Sequence, residues 1–234
     1  MTKKEILDAI HGQMIISCQA VEGEPLYVEE KSIMYLMARA AKQAGTPAIR
    51  TSSIRDVIAI KEETGLPVIG LVKVQYPGYE GFITPTMKEV DDLVAAGSDI
   101  VALDCTLRKR GDGSTVNEFI AQIREKYPDI ILMADISNYE EGINAWKCGV
   151  DIVGTTMSGY TAYRSSVSDG PDYELMERLS RDINIPVIGE GRIHYPDQAV
   201  KALQTGAWAI VVGGAITRPL EIAMRFQNAI KESR

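Results

Sequence analysis

The sequence predicts an α/β fold, a closed (β/α)8 TIM barrel of the ribulose-phosphate-binding-barrel type. Three observations support this: short apolar runs alternate with longer stretches of helical spacing, most of the runs are apolar on both faces, and the units have nearly equal length. Strands buried on both faces are typical of parallel sheets covered by helices. Eight units in 234 residues give about 29 residues each, a compact strand–helix repeat. The chain, residues 1–234, is therefore expected to be a single domain.

The predicted strands are apolar runs rich in isoleucine and valine. They are MIISC (14–18), AIR (48–50), PVIGLVK (67–73), IVALD (100–104), IILMAD (130–135), IVGTT (152–156), PVIGE (186–190) and AIVVGG (209–214). A glycine-rich dinucleotide-binding turn does not follow the first run, which favours the closed barrel over an open doubly wound sheet.

The predicted helices fill the segments between these runs. Residues 33–44 form one apolar stripe, and Ser53 opens a helix that runs to Gly65. Capping boxes are predicted for Thr86 with Glu89, Thr115 with Glu118 and Ser137 with Glu140, and prolines start the helices at 196 and 219. An extra helix at about 3–11 is expected to close the bottom of the barrel.

Composition excludes several classes of protein. With 25 basic and 32 acidic residues the formal charge is −7, which argues against nucleic-acid and anionic-membrane partners. Three separated cysteines and two histidines predict neither a disulfide framework nor a zinc site. No signal peptide or membrane-spanning run is recognisable, so we expect a cytoplasmic protein.

Polar residues at the carboxyl ends of the strands are the candidate site, because active sites of such barrels lie there. Ionisable side chains directly after apolar runs are costly unless they face a polar cavity. Of the two strand-end aspartates, Asp104 is expected to be structural and Asp135 to belong to the site. The candidates are Gln19, Arg50, Lys73, Asp135 and Glu190.

A phosphate site is predicted after the last two strands. Barrels often bind phosphate through backbone amides of these loops and a helix N-terminus. Here the segments IGEGR and VVGGAITRP supply glycines that allow close backbone approach, with arginines as charged donors. The predicted phosphate residues are Gly191, Arg192, Gly213, Gly214 and Arg218.

The strand ends and loops together resemble a known family. The set SCQA (17–20), GTPAIRT (45–51), PVIGLVK (67–73), ALDCT (102–106), MADIS (133–137), GTTMSGYT (154–161), IGEGRI (188–193) and VVGGAITRP (211–219) is similar to N-acetylmannosamine-6-phosphate 2-epimerases. The resemblance covers nearly the whole chain. It implies an isomerase that interconverts N-acetylmannosamine 6-phosphate and N-acetylglucosamine 6-phosphate in sialic acid and amino sugar catabolism, without metal or organic cofactor, and a homodimer.

Epimerisation at C2 needs a base that is neutral near pH 7. Lys73 ends an apolar strand, where burial and the like charge of Arg50 would lower its pKa. Glu190 lies roughly opposite and would act as the second acid/base or hold the sugar hydroxyls. Asp135 would orient Lys73 or bind the sugar, and Gln19 with Arg50 would contact the N-acetyl and hydroxyl groups.

Two alternatives to this reading are another phosphosugar enzyme of the phosphate-binding barrel group, such as an aldose-phosphate isomerase or a decarboxylase, and a non-catalytic phosphosugar-binding barrel. The tight Asp-x-Lys-x-x-Asp array of a decarboxylase is missing after Asp104, and a mere binder would not need the Lys73 and Glu190 pair. The loop with Tyr76, Tyr79 and Phe82 is either a lid or a segment that packs on the rim or at a subunit contact.

Overall fold

The computed structural model describes residues 1–164 and 170–233. Within them, parallel strands pair in sequence order from β1 to β8, and β8 pairs with β1 to close the barrel. The predicted fold class is thereby confirmed. The strands are β1 Met14–Ser17, β2 Ile49–Ser52, β3 Val68–Leu71, β4 Ile100–Asp104, β5 Ile131–Asp135, β6 Ile152–Gly154, β7 Val187–Glu190 and β8 Ala209–Val212.

Helices cover the outside of the barrel and follow the strands in alternation. They are α1 Lys3–Ile10, α2 Met34–Gln43, α3 Ile54–Thr64, α4 Met87–Ala95, α5 Val116–Lys126, α6 Tyr139–Lys147, α7 Tyr173–Asp182, α8 Pro196–Gln204 and α9 Pro219–Glu232. A short 3-10 turn, Ala162–Arg164, lies between β6 and α7. None of the described helices is both long and apolar enough to cross a membrane.

Helix caps agree with the predicted boxes at α4 and α5, where the threonine and the glutamate bond reciprocally. The box predicted for Ser137 with Glu140 is wrong. Asn138 is the N-cap of α6, and its side chain accepts a hydrogen bond from the Glu141 amide. Ser137 instead donates its hydroxyl and amide hydrogens to the Glu141 carboxylate, which ties the end of β5 to α6.

The helix α1 closes the bottom of the barrel, as predicted. Ile6 and Ile10 are buried in the cluster of side chains that fills the barrel interior. The indole of Trp208 donates to the Leu7 carbonyl, and the Gly12 amide donates to the Trp208 carbonyl. Apolar packing therefore seals the end of the barrel that lies at the strand N-termini, and leaves the other end for polar groups.

The strand β3 is shorter than its apolar run. It ends at Leu71 because Val72 is bonded to Thr84 rather than continuing the ladder: the Thr84 amide donates to the Val72 carbonyl, and the Val72 amide donates to the Thr84 hydroxyl. Thr84 donates that hydroxyl to the Ala102 carbonyl on β4 and has a left-handed backbone with φ 47°. Lys73 thus lies just after the end of β3, in a hydrogen-bonded loop segment at the rim of the barrel.

Candidate active site

The alternation of side chains along each strand explains which polar residues face the interior of the barrel. On β3, Ile69 and Leu71 belong to the interior cluster, so Lys73 continues on the same face. On β5, Ile131 and Met133 point inward and place Asp135 above them. The same two-residue step leads from Ala48 to Arg50, from Ile188 to Glu190 and from Val211 to Gly213, and two such steps lead from Ile152 through Gly154 to Thr156.

These residues surround a cavity of about 240 Å³ at the carboxyl end of the barrel. Every predicted site residue except Asp135 lines it. The lining set includes Gln19, Arg50, Lys73, Glu190, Gly191, Arg192, Gly213, Gly214 and Arg218. The residues predicted from the sequence therefore lie together at the carboxyl end of the barrel, with the exception of Asp135.

Asp135 lies beneath the cavity and holds Arg50. Its Oδ1 and Oδ2 accept hydrogen bonds from the Arg50 guanidinium at 3.1 and 2.6 Å, and both side chains are almost fully buried. The other guanidinium neighbour is Glu190, whose Oε2 is 3.3 Å from Arg50 Nη1. Asp135 is positioned to act through Arg50, and the structure records no bond between it and Lys73 among the described residues.

Lys73 presents a free amine to the cavity. Its side chain is half-buried, and within the described part of the chain no hydrogen bond or ion pair engages it. Burial lowers the pKa of the Lys73 ammonium, and the positive charges of Arg218 and Arg50 lower it further. The arrangement increases the fraction of neutral amine near pH 7, which a base requires.

The pKa of Glu190 is shifted in the opposite direction, upwards. Burial raises its pKa to about 7; the positive charge of Arg50 opposes this, and the negative charge of Asp135 adds to it. The carboxyl also lies 3.1 Å from the hydroxyl of Thr156. An amine of lowered pKa and a carboxyl of raised pKa thus line one cavity, a pattern typical of proton-transfer sites.

The predicted phosphate end of the cavity carries an unexpected carboxylate. Arg218 Nη1 is 2.9 Å from Glu221 Oε1, and Arg218 Nη2 is 3.0 Å from Glu24 Oε1. Glu221 lies so close to Gly214 that a side chain at that glycine would collide with it. An anion that binds Arg218 here must compete with Glu221.

Arg192 lines the cavity but is engaged elsewhere. Its Nε donates to the Gly170 carbonyl at 2.9 Å, and its guanidinium lies over the Tyr160 ring and against Gly159. The positive φ of Gly159 and the arginine packed on it leave no space for a side chain there. Arg192 thus fastens the segment after β6 at the rim of the site.

Gln19 leaves one buried acceptor unpaired. Its Nε2 donates to the Ser17 hydroxyl at 2.9 Å, and its Oε1 has no hydrogen-bond partner. A buried unpaired acceptor is costly unless a ligand satisfies it. The amide of an N-acetyl group could do so.

Several lining residues were not predicted as site residues. Four of them make polar contacts to predicted residues, namely Ser17, Thr156, Thr217 and Glu221. Phe82, Tyr160 and His194 also line the cavity. Thr156 could have been predicted from the sequence, because it follows Gly154, the last residue of β6, by two residues and so continues the inward-facing side of that strand. The sequence indicates Glu221 more weakly, since it follows Arg218 by about one helical turn and can therefore pair with it.

The aromatic loop is mostly a packed rim. The Tyr76 hydroxyl donates to Glu89 at 2.8 Å, and Tyr79 lies edge-on to Tyr76 and under the Arg110 guanidinium. Phe82 alone of the three aromatic residues lines the cavity.

Asp104 is structural, as expected. It is paired with Arg108 at 2.6 Å and accepts from the Thr106 hydroxyl. The run of basic residues 108–110 that follows would be expected in a solvated loop, but Arg110 is buried and packs on Phe119.

In the described residues, no group of three or more histidine, cysteine, aspartate or glutamate side chains is arranged to hold a metal ion.

Comparison with known proteins gives one consistent result. A family model described as "Putative N-acetylmannosamine-6-phosphate epimerase" matches residues 34–232. A relative from Caldanaerobacter subterraneus subsp. tengcongensis, named "Putative N-acetylmannosamine-6-phosphate 2-epimerase", is 54% identical over 98% of this chain and 96% of its own. A relative of the same name from Enterobacter sp. is 46% identical, with 97% of each chain covered.

Solved structures agree. The N-acetylmannosamine-6-phosphate 2-epimerase from Clostridium perfringens superposes with a TM-score of 0.90 at 48% identity, and 96% of each chain is covered. The thiamine phosphate pyrophosphorylase from Pyrococcus furiosus reaches a TM-score of 0.59 at 19% identity, over 94% of this chain and 96% of its own. At that identity the second likeness shows a shared fold only.

Proposed function

Because the chain belongs to the N-acetylmannosamine-6-phosphate epimerase family, we propose that it interconverts N-acetylmannosamine 6-phosphate and N-acetylglucosamine 6-phosphate by moving a proton at C2. One observation carries the mechanism: Lys73 and Glu190 line the same cavity, and their pKa values are shifted in opposite directions. A sugar bound between them can lose its C2 proton on one face to give a planar enolate, which then gains a proton on the other face.

Lys73 is the proposed base. In the ring-opened sugar the C2 proton is acidic because the electrons of the C2–H bond can move into the C1 carbonyl. The neutral Lys73 amine takes this proton and becomes an ammonium ion, and an enolate remains. The Arg50 guanidinium, held by Asp135, is the charged donor near the developing negative charge.

Glu190 is the proposed acid on the opposite face. Its carboxyl gives a proton to C2 while the C1 carbonyl re-forms, which completes inversion. Solvent then exchanges with Lys73 and Glu190 to reset both groups. Running the steps backwards gives the reverse reaction with the roles exchanged.

The remaining site residues are proposed to hold the substrate. Gln19 Oε1 would accept the N–H of the N-acetyl group, because it is buried without a partner. Arg218 and the backbone of Gly191, Gly213 and Gly214 would bind the phosphate, with Arg192 at the rim.

The test is proton exchange at C2 in deuterated water, followed by NMR. Lys73→Ala should abolish exchange while N-acetylmannosamine 6-phosphate still binds, and Lys88→Ala, an exposed lysine on α4, should exchange as the parent does. Exchange that persists in Lys73→Ala would refute the base. If Glu190→Gln loses affinity but keeps both exchange and epimerisation, Glu190 is a binding group and not the acid.

We further propose a single-domain homodimer that works in the cytoplasm in sialic acid degradation. The support for a dimer is α9, in which no residue is buried. Its apolar side chains Leu220, Met224, Phe226 and Ile230 are each at least half exposed. Several large apolar side chains exposed on one helix are more typical of an interface than of a solvated surface.

A further inference from the structure

The hydroxyl of Thr156 lies between the two carboxyl groups of the site. Thr156 Oγ1 is 2.6 Å from Asp135 Oδ1 and 3.1 Å from Glu190 Oε2. It therefore joins β5 to β7 at the floor of the cavity that it also lines.

Counting hydrogens restricts what these two contacts can be. A threonine hydroxyl has one hydrogen and can donate it to only one carboxyl group, although its oxygen can accept another hydrogen bond. If both carboxyl groups were ionised, one contact would set two oxygen lone pairs against each other. Both contacts are hydrogen bonds only when one carboxyl group carries a proton that it donates to Thr156.

Surroundings decide which carboxyl carries that proton. Asp135 accepts two guanidinium hydrogen bonds from Arg50, the pattern of an ionised carboxylate. Glu190 has one guanidinium contact at the longer distance of 3.3 Å. The charged groups that act on it are Arg50, Asp135 and Lys73, and burial raises its pKa to about 7. A hydroxyl that donated its hydrogen to Glu190 would lower that pKa. The Thr156 hydrogen goes instead to Asp135, the nearer carboxyl at 2.6 Å, so Thr156 is left as an acceptor for Glu190.

From this geometry we propose that Thr156 is a positioning residue that accepts the hydrogen of protonated Glu190, donates its own to Asp135, and so keeps Glu190 an acid in the resting enzyme. The inference rests on the proposed function, in which Glu190 supplies the C2 proton. It adds a residue to the machinery that touches no reacting atom and acts through Glu190.

The consequence is a specific change in the pH profile. The active form needs Lys73 neutral and Glu190 protonated. As long as Lys73 is still mostly protonated, kcat/KM of the parent should rise with pH and then level off where Glu190 begins to ionise, near pH 7. Without the Thr156 hydroxyl, the Glu190 pKa falls, so the levelling-off point moves to lower pH and the plateau falls by the same factor, about three- to tenfold.

The experiment compares Thr156→Val and Thr156→Ala, which remove the hydroxyl, with Thr156→Ser, which keeps it. At about pH 5 all should match the parent, because there kcat/KM depends only on the neutral fraction of Lys73. At pH 8 the hydroxyl-free variants should be lower, and Thr156→Ser should be restored. Circular dichroism checks that each variant is folded.

Thr155 offers a matched control. Its hydroxyl donates to the Glu190 carbonyl and accepts from the Glu190 amide, so it bonds the backbone of the same residue and not its carboxyl. Thr155→Val should change activity by one factor at every pH and leave the levelling-off point where it is.

Infrared titration of the protonated carboxyl band, assigned by its loss in Glu190→Gln, measures the Glu190 pKa without any turnover. A pKa that stays the same or rises in Thr156→Val would overturn the proposed role of Thr156. Epimerisation by Glu190→Gln with the parent's pH profile would instead refute Glu190 as the acid, and the infrared shift would still decide on Thr156.

Discussion

Arg50 and Asp135 form a two-bonded ion pair at the floor of the cavity, with exposed fractions of only 1% and 0%. Burying the pair is costly, and its two hydrogen bonds offset part of that cost, although Arg50 Nε stays buried without a partner. It makes Arg50 a fixed positive charge between Glu190 and the strand that leads to Lys73.

Removing one partner of this pair should cost both stability and activity. Asp135→Asn removes the carboxylate that makes two hydrogen bonds to the buried Arg50 guanidinium and leaves Glu190, at 3.3 Å, as its remaining acidic neighbour. We expect the free energy of unfolding to fall by about 3–5 kcal/mol. Asp92→Asn breaks the exposed pair with Lys88 and should leave the free energy of unfolding almost unchanged, because solvent screens the pair. Urea denaturation measures both. Equal losses in the two variants would contradict this account of the pair.

Stability should depend on pH through Glu190. Burial raises its pKa from 4.5 to about 7, so the folded chain binds this proton more tightly than the unfolded chain. The stabilisation is fully present below about pH 4.5 and is lost as the pH rises through 7. Glu190→Gln is neutral throughout, so its stability relative to the parent should improve between pH 5 and pH 8, by up to ~3 kcal/mol.

Denaturation at the two pH values tests this, with Glu125→Gln on the exposed face of α5 as the control for loss of one carboxylate. A difference between Glu190→Gln and the parent that is the same at pH 5 and pH 8 would show that Glu190 does not titrate as described.

Glu221 should weaken phosphate binding. Its carboxylate is paired with Arg218 and stands against Gly214, where the phosphate is proposed to bind. In Glu221→Gln, inorganic phosphate should inhibit the enzyme at a concentration about two- to fivefold lower, because a competing negative charge is gone. Glu22→Gln removes the same charge from an exposed loop and should not alter inhibition. Weaker inhibition in Glu221→Gln would indicate that Glu221 helps to arrange the site.

Thr84 should matter for activity beyond its hydrogen bonds. Thr84→Val loses the hydroxyl that accepts from Val72 and donates to Ala102, which should lower stability by about 1–3 kcal/mol. Since Lys73 follows Val72 directly, kcat should fall as well.

Thr64→Val is the matched control, because the buried Thr64 hydroxyl also makes two backbone hydrogen bonds, far from the site. Similar stability losses with kcat reduced only in Thr84→Val are expected. Parallel losses of kcat in both variants would reduce Thr84 to a general stabilising role.

The exposed face of α9 predicts a dimer that a charge should break. Phe226 is 69% exposed in the single chain, so Phe226→Glu should leave the barrel folded and shift light scattering from dimer to monomer mass. Gln122→Glu on α5 should not. A monomeric parent protein would refute the proposed interface.

Much of the site could be predicted because strands impose a two-residue period. The inward-facing apolar residues before Lys73 show that its side chain also points into the barrel, and the same holds for Glu190. The closure of the barrel then brings them together, and closure follows from the even spacing of the units.

What could not be predicted depends on contacts between strands or loops. The sequence shows Asp135 at a strand end, but its position beneath Arg50 depends on the length and rotamer of the arginine three strands away. The engagement of Arg192 with Gly170 and the pairing of Arg218 with Glu221 are likewise set by loop conformations. None of these contacts could be predicted from local sequence patterns.

The bottom of the barrel has a consequence for the order of assembly. The bond between Trp208 and Leu7 joins residues 201 positions apart, and Ile6 and Ile10 have their final neighbours only when β8 has joined β1. During synthesis the first helix leaves the ribosome long before those neighbours exist. Its apolar face therefore stays exposed to solvent until β8 is made. The barrel closes in a late step, when the first and last strands pair.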